Sequence, residues 1–167
     1  MTVFRYPTPE GFDDLLIYTD GKMMTGISFA GSRDENKHIM GIVETRRATS
    51  LQPPIIQDTY RWLDIYFTGR QPDFTPAYRM EGMTPFRKKV LDMVCEIPFG
   101  QTLTYGDIAK RLKIKSAQAV GGAVGWNPIC LIVPCHRVMG ANGKLTGYGG
   151  GLPNKIALLK LEESLMF

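Results

Sequence analysis

The stretch from Arg70 to Thr84 contains Pro72 and Pro76, has no hydrophobic period, and runs straight into Pro85. Neither a helix interior nor a central strand tolerates that pattern. Proline has no amide hydrogen, and it steers the preceding residue away from helical backbone. The stretch reads as a linker that divides the 167-residue chain in two. Before it, Leu15 to Thr19 and Met23 to Phe29 flank Asp20-Gly21, a dipeptide suited to a β-hairpin turn. Gly31 to Lys37 is polar and reads as a loop, whereas Val43 to Leu51 has no decisive pattern. Ile56, Tyr60, Leu63 and Phe67 recur at helical spacing, and Gly69 stops the run.

After the linker the pattern is mostly helical. Thr84 and Pro85 suit a helix start, and Phe86, Val90, Met93 or Val94 and Ile97 form one apolar face, ended by Pro98-Phe99-Gly100. Thr104 to Asp107 has the spacing of a capping box, followed by Ile108, Ala109 and Leu112 as a buried side. Ser116 caps a further helix from Ala117 to about Gly125. Two short helices around Lys110, Arg111, Lys113 and Lys115 outline a basic helix-turn-helix, although such pairs also occur in ordinary cores. Ala117, Ala119, Gly121, Gly122 and Ala123 leave the second helix almost without bulk. A thin helix packs closely on a neighbour or enters a groove deeply, and opposite faces can do each. Asn127-Pro128 reads as a turn, Ile129 to Val133 as a buried strand or extended segment, and Met139 to Gly151 as a glycine-rich loop around Tyr148. Pro153 opens a last helix, with Ile156 and Leu159 inside and Glu162 near its end. The expected fold is α/β with two domains: a small sheet plus helix over 1–80, and a mostly helical, winged-helix-like unit with the helix-turn-helix over 81–167.

Charge follows the same division. Residues 1–83 hold 9 Lys+Arg against 11 Asp+Glu, whereas 84–167 hold 11 against 5. The basic half suggests an anionic partner, nucleic acid first, though a solvated basic surface has the same count. Three cysteines are too few for a disulfide framework and suit a reducing compartment. The start lacks the layout of a signal peptide, and no apolar run approaches the roughly 20 residues that span a bilayer. The expected setting is soluble and intracellular: the cytoplasm of a prokaryote or the nucleus of a eukaryote.

Ile132 to Val138 reads Ile-Val-Pro-Cys-His-Arg-Val. It places Cys135 where an apolar segment meets a turn, beside one of only two histidines. A thiol attacks as its thiolate, which a nearby base or positive charge favours. Side chains of adjacent residues on an extended chain diverge, so His136 needs a turn or a bridging water to serve Cys135. His38, the other histidine, lies in a charged segment and reads as a surface residue, which weakens an ordinary cysteine hydrolase. The glycines at 121–122 and 147–151 lack the setting of a dinucleotide or phosphate loop. The cysteines and histidines lack metal-ligand spacing. The thiol is expected to act with neither cofactor nor metal.

These residues together resemble the methylated-DNA–protein-cysteine methyltransferases, which repair O6-alkylguanine. The resemblance is carried by Thr84-Pro85-Phe86, Ile97-Pro98-Phe99-Gly100, Thr104-Tyr105, Ala119-Val120-Gly121, Asn127-Pro128, Val133 to Val138, Gly147-Tyr148-Gly149-Gly150 and Leu161-Glu162. It covers essentially all of 84–167, while 1–80 matches in outline only, as a structural unit of ribonuclease-H-like outline. It implies a monomer that binds double-stranded DNA containing O6-alkylguanine, flips the base and takes its alkyl group onto Cys135 once. O4-methylthymine is a second candidate substrate. In that scheme His136 is a base acting through water, Glu162 orients it, Tyr148 helps protonate the departing base, and Asn127 braces the turn. Tyr105, Gln118, Ala119, Gly121, Gly122, Trp126 and Arg137 fall to DNA contact. From the residues alone, Tyr105 also fits a half-buried tyrosine, Glu162 a solvated helix end, Tyr148 a loop filler and Asn127 a turn residue. Cys95 and Cys130 read as small hydrophobes without a role. Two positions depart from the family pattern. Gln118 stands where relatives carry an arginine that fills the vacated base position, and Trp126 stands where a small or basic residue is usual. Trp126 fits either stacking on DNA or covering core. The alternative within the family's reach is a non-catalytic alkylguanine sensor; outside it stands a cysteine hydrolase or redox sensor.

Overall fold

The computed structural model describes residues 1–35, 44–46 and 52–163. His38 and most of the ambiguous stretch from Val43 to Leu51 lie outside the described residues. Strands β1 (Thr2–Tyr6), β2 (Leu15–Thr19), β3 (Met24–Phe29) and β4 (Glu44–Arg46) form one sheet in the order β3-β2-β1-β4, with β4 parallel to β1. The hairpin between β2 and β3 turns at the expected place. The Asp20 carboxylate accepts hydrogen bonds from the amides of Lys22 and Met23, both at 2.8 Å, and so replaces the backbone partners that the turn removes.

Helix α1 (Pro54–Tyr66) lies on this sheet. Its buried face differs from the expected one. Ile55, Ile56, Thr59, Trp62, Leu63 and Tyr66 are buried, whereas Tyr60 and Phe67 are half-buried against the core. The spacing of Ile56 and Leu63 revealed the period, but the stripe is centred one residue earlier, and this turns Tyr66 inward.

The C-terminal half contains α2 (Pro85–Cys95), β5 (Leu103–Thr104), α3 (Tyr105–Arg111), α4 (Ala117–Trp126), β6 (Val138–Met139) and α5 (Leu152–Leu161). Thr84 caps α2 by accepting from the Arg87 amide, and Ser116 caps α4 through the Ala119 amide. Thr104 and Asp107 form the complete reciprocal capping box at α3. That helix closes on Lys113 in the left-handed region (φ 56°), with the amides of Lys113 and Ile114 bonded back to Lys110 and Ala109. Phe86 was expected in the buried face of α2 but is 39% exposed; Val90, Leu91 and Val94 bury that face instead.

The expected linker makes backbone contacts with β3. In the proposed linker, the Met24 amide donates to Ala77 O and the Arg79 amide to Met24 O, both at 3.0 Å. Farther along the same strand, the Ile27 amide donates to Pro128 O at 2.9 Å and the Cys130 amide to Ile27 O at 3.1 Å. The outer edge of β3 is thus covered by the second half of the chain, and its backbone groups are paired. Of the stretch expected as a buried strand or extended segment, Ile129 bridges Ile27 of β3, and Cys130 to Val133 then reverse as a turn. Leu131 is left-handed (φ 69°), and the Val133 amide returns to Ile129 O. One buried cluster runs from Phe4 and Ile17 through Tyr66 and Val94 to Val138 and Leu158.

Replacing Thr104 by alanine removes half of the capping box while leaving the apolar face of α3 intact. Urea unfolding should show a loss of about 1 kcal/mol, with an unchanged slope against urea concentration.

Candidate active site

The site begins at the turn held by Asn127. Its side-chain oxygen accepts from the Ile129 amide at 3.0 Å, and its amide donates to Val133 O at 3.0 Å and Ile129 O at 3.4 Å. Buried at the end of α4, Asn127 closes the turn that delivers Cys135. The expected brace is therefore in place geometrically. Cys135 opens a 3-10 turn, Cys135–Arg137, and is 7% exposed. It sits at the floor of the fold, not on the accessible turn that its place after an apolar run suggested.

The 3-10 turn sends His136 and Arg137 inward together. His136 Nε2 lies 2.8 Å from Glu162 Oε1. Arg137 reaches the same carboxylate with Nε at 2.9 Å from Oε2 and Nη2 at 2.9 Å from Oε1, and its Nη1 donates to Ile97 O at 2.8 Å. Tyr66 donates its hydroxyl proton to Glu162 Oε1 at 2.5 Å. Glu162, read as either an orienting acid or a solvated helix end, is 2% exposed and is the acceptor at the centre of this cluster. Arg137, expected on DNA, is 4% exposed and committed to Glu162, so its charge faces the interior. Gly100 makes room for the carboxylate's own backbone. It is left-handed (φ 81°), and a Cβ there would stand 3.1 Å from Glu162 O.

Burial alone would raise the Glu162 carboxyl. The hydrogen bond from His136 and the two-pronged Arg137 guanidinium outweigh it and hold the group at about 2. Burial lowers the His136 imidazole, and Glu162 only partly opposes that shift. A neutral imidazole whose Nε2 faces a carboxylate carries its proton there, as donor. That leaves Nδ1 as a lone-pair acceptor, and Nδ1 is buried without a hydrogen-bond partner. Glu162 is thus held by two partners, the His136 ring and the Arg137 guanidinium.

Around the Cys135 sulfur the environment is mixed. The neighbouring Cys130 thiol lowers the pKa of Cys135; burial raises it, and the Asn127 side chain lowers it again. Asp34, from the turn after β3, adds a negative charge, and Lys155 of α5 a positive one. Asp34 lies so close over Gly149 that no side chain fits at that position, and its amide donates to Gly149 O at 3.3 Å. Lys155 is 1% exposed; its ammonium donates to Val138 O at 2.6 Å and lies 5.9 Å from the Tyr148 ring centroid. The Tyr148 hydroxyl is buried beside the Cys130 thiol without a well-directed hydrogen bond. Burial, then the two thiols, push its pKa well up, so it keeps its proton.

The remaining expected residues lie on α3 and α4. Gln118, Ala119 and Gly122 are exposed, and no atom lies within contact of a Cβ built on Gly122. Gly121 instead faces the Tyr105 ring, where a Cβ would meet carbon atoms at 3.8 Å. The thin helix therefore has both an open face and a packed one. Trp126 is half-buried beneath the Arg87 guanidinium, 4.5 Å above its ring, which favours its reading as cover for the core.

Tyr66, Cys130, Lys155 and Asp34 were missed as site residues. The register of α1 would have exposed Tyr66. Lys155 had no sequence signal, because a lysine on a helix is normally solvated. Among the described residues, no group of three or more His, Cys, Asp and Glu side chains is placed to hold a metal ion. None of the helices described is long and apolar enough to cross a membrane.

Glu162 titrates at about 2 in the folded chain, below its ordinary 4.5. Its contribution to stability is complete above pH 4.5 and is lost as pH falls toward 2. Glu162→Gln should flatten the stability profile over that window. At neutral pH it should cost about 3–5 kcal/mol, because Arg137 is left buried and unpaired. Urea midpoints measured at pH 7 and at pH 3 check both effects.

Residues 85–164 match the family model described as 6-O-methylguanine DNA methyltransferase, DNA binding domain. The methylated-DNA–protein-cysteine methyltransferase of Methanosarcina mazei is 44% identical over 144 residues, covering 83% of this chain and 90% of the relative. The inducible enzyme of that name from Bacillus subtilis is 36% identical, covering 93% of this chain and 92% of the relative. The crystal structure of Mycobacterium tuberculosis OGT in complex with DNA superposes with a TM-score of 0.81 at 33% identity, covering 98% of this chain and 94% of that one. The chain belongs to the methylated-DNA–protein-cysteine methyltransferase family.

Proposed function

We propose that this protein repairs DNA by taking the O6-alkyl group of alkylguanine onto Cys135 in a single irreversible event. The observation that carries the reading is a buried Cys135 with a lowered pKa, followed at once by a buried His136 whose Nε2 is fixed by Glu162 and whose Nδ1 has no hydrogen-bond partner. The family's activity and the DNA-bound relative support the same reading.

In this mechanism His136 Nδ1 takes the Cys135 thiol proton through a water. The thiolate attacks the alkyl carbon in line with the carbon–oxygen bond. A carbon–sulfur bond forms as the carbon–oxygen bond breaks, and the released electron pair goes to O6 of guanine. Tyr148, kept protonated by its surroundings, supplies a proton so that guanine leaves neutral, and the proton held by His136 replaces it. The balance is one thiol and one alkylguanine giving one thioether and one guanine. The thioether has no proton to lose and no leaving group to return, so the protein is spent.

The base must leave the duplex to reach a sulfur this deep. The open face of α4, with Gln118, Ala119 and Gly122, enters the groove as the second helix of a helix-turn-helix. Tyr105, braced by Gly121, presses on the phosphate beside the flipped nucleotide. Gln118 fills the vacated position and hydrogen-bonds the orphaned cytosine. Lys110, Lys113 and Lys115, all exposed around the turn, neutralise phosphates. Trp126 sets the angle of α4 under Arg87 and takes no part in base contact.

Incubation with one equivalent of duplex bearing O6-methylguanine should add one methyl group to the Cys135 peptide in mass spectrometry, with no turnover when DNA is in excess. Cys135→Ala should abolish transfer and keep DNA binding, with an affinity that falls as salt rises. An unmodified, reduced Cys135 after tight lesion binding would replace this reading with that of a lesion sensor. Gln118→Arg should speed transfer and Gln118→Ala slow it, both read by quench-flow with the lesion duplex.

A further inference from the structure

We propose that Tyr66 is a positioning residue for the transfer to Cys135: its hydroxyl, carried in from the N-terminal half, locks Glu162 Oε1 onto His136 Nε2 and so leaves Nδ1 as the nitrogen that serves the thiol. The inference rests on the proposed reaction, in which His136 is the base.

Tyr66 is the last residue of α1 and is fully buried. Its ring stacks on Trp62, with centroids 5.2 Å apart and planes 9° from parallel, and meets Phe67 and Phe99 edge-on. A ring fixed in this way aims its hydroxyl in one direction. The hydroxyl stands 2.5 Å from Glu162 Oε1 and 3.4 Å from His136 Nε2. Glu162 Oε1 is also the oxygen that faces His136 Nε2, at 2.8 Å. The three atoms close a triangle, with one corner each from α1, the end of α5 and the 3-10 turn. Arg137 clamps the carboxylate through both of its oxygens, whereas Tyr66 engages only the oxygen that His136 uses.

The direction of donation within the triangle decides which nitrogen of His136 is basic. The Tyr66 hydroxyl has a single proton, and its one carboxylate neighbour takes that hydrogen bond. With the proton directed at Glu162, the hydroxyl oxygen can only accept from Nε2. The ionised Glu162 can only accept as well. Both neighbours of Nε2 are therefore acceptors. A neutral ring between them carries its proton on Nε2 and its lone pair on Nδ1, the nitrogen left without a partner. Were the Tyr66 proton turned to Nε2 instead, the ring would take the opposite tautomer and offer the thiol no lone pair. The charged and titratable groups facing His136 are Tyr66 of α1, Lys155 of α5, Glu162 at its end and Arg137 of the same turn. Glu162 is the anion among them, and Tyr66 is the neutral donor that offsets part of its pull on the ring. A tyrosine that only filled the core would be equally buried, but loss of its hydroxyl would leave the titration of His136 unchanged.

Tyr66→Phe tests this, because it keeps the packed ring and removes the hydroxyl. In the full chain without DNA, nitrogen NMR reads the tautomer and the titration of His136, with His38→Gln telling the two histidines apart. The wild-type chain should carry the proton on Nε2. Tyr66→Phe should raise the His136 midpoint by about half a pH unit, since Glu162 loses a donor and its charge acts more fully on the ring. Single-turnover methyl transfer at saturating lesion duplex should slow about tenfold in the variant, with duplex affinity unchanged. A wild-type ring protonated on Nδ1 would overturn the proposal whether or not the variant folds. So would a folded Tyr66→Phe chain whose midpoint and transfer rate both match the wild type. Failure of the wild-type chain to transfer methyl would instead overturn the repair reaction, and the tautomer and midpoint, read without DNA, would still decide what Tyr66 does to His136.

Discussion

One carboxylate organises the molecule. Glu162 accepts hydrogen bonds from Tyr66 of α1 and from His136 and Arg137 of the 3-10 turn, and it sits at the end of α5. Three segments distant in sequence therefore converge on two oxygen atoms. An apolar cluster could hold the same segments as firmly, since burying charges costs several kcal/mol per ion before they attract one another. What apolar packing could not do is fix a tautomer. With its pKa held low by His136 and Arg137, Glu162 remains an acceptor and orients the His136 ring through Nε2. The basic Nδ1 is thereby left over. Arg137 acts from inside, by helping to keep charged the carboxylate that holds the His136 ring.

The edge of β3 is the mechanical counterpart of that electrostatic centre. It binds the linker through Met24 and the Asn127–Cys135 turn through Ile27. The N-terminal half thus supplies Tyr66 to the histidine, Asp34 to the Tyr148 loop and a backbone ladder to the turn bearing the acceptor. The sheet fixes the position of the Cys135 turn, and exposure of its edge would release both the linker and that turn.

Much of this was legible in the residues. The hairpin at Asp20-Gly21, the caps at Thr84, Thr104 and Ser116, and the brace at Asn127 are local devices whose partners lie within a few positions, and the structure has each of them. Ile129 to Val133 was legible in part: Ile129 bridges β3, but an apolar run does not announce the reversal at the left-handed Leu131 that follows. Phe86 misled because its spacing suits the face that Val90 and Leu91 fill. Tyr66 lay one residue outside the assumed stripe. Lys155 and Asp34 were illegible for a deeper reason. Their significance comes from groups more than ten residues away in the chain, and neither side chain departs locally from what a surface residue would be.

Gln118 can be weighed against this background. An arginine in the base stack brings a cation whose desolvation must be offset by nearby phosphates, whereas glutamine brings no charge and a smaller penalty. The basic residues around the α3–α4 turn are independent of position 118, so attraction to the duplex persists without it. What glutamine forfeits is the flat, delocalised surface that stacks on neighbouring bases. Under the proposed function, the substitution should therefore affect the lifetime of the flipped state more than the encounter with DNA. A short-lived flipped state places a premium on a sulfur that is already ionised when the base arrives.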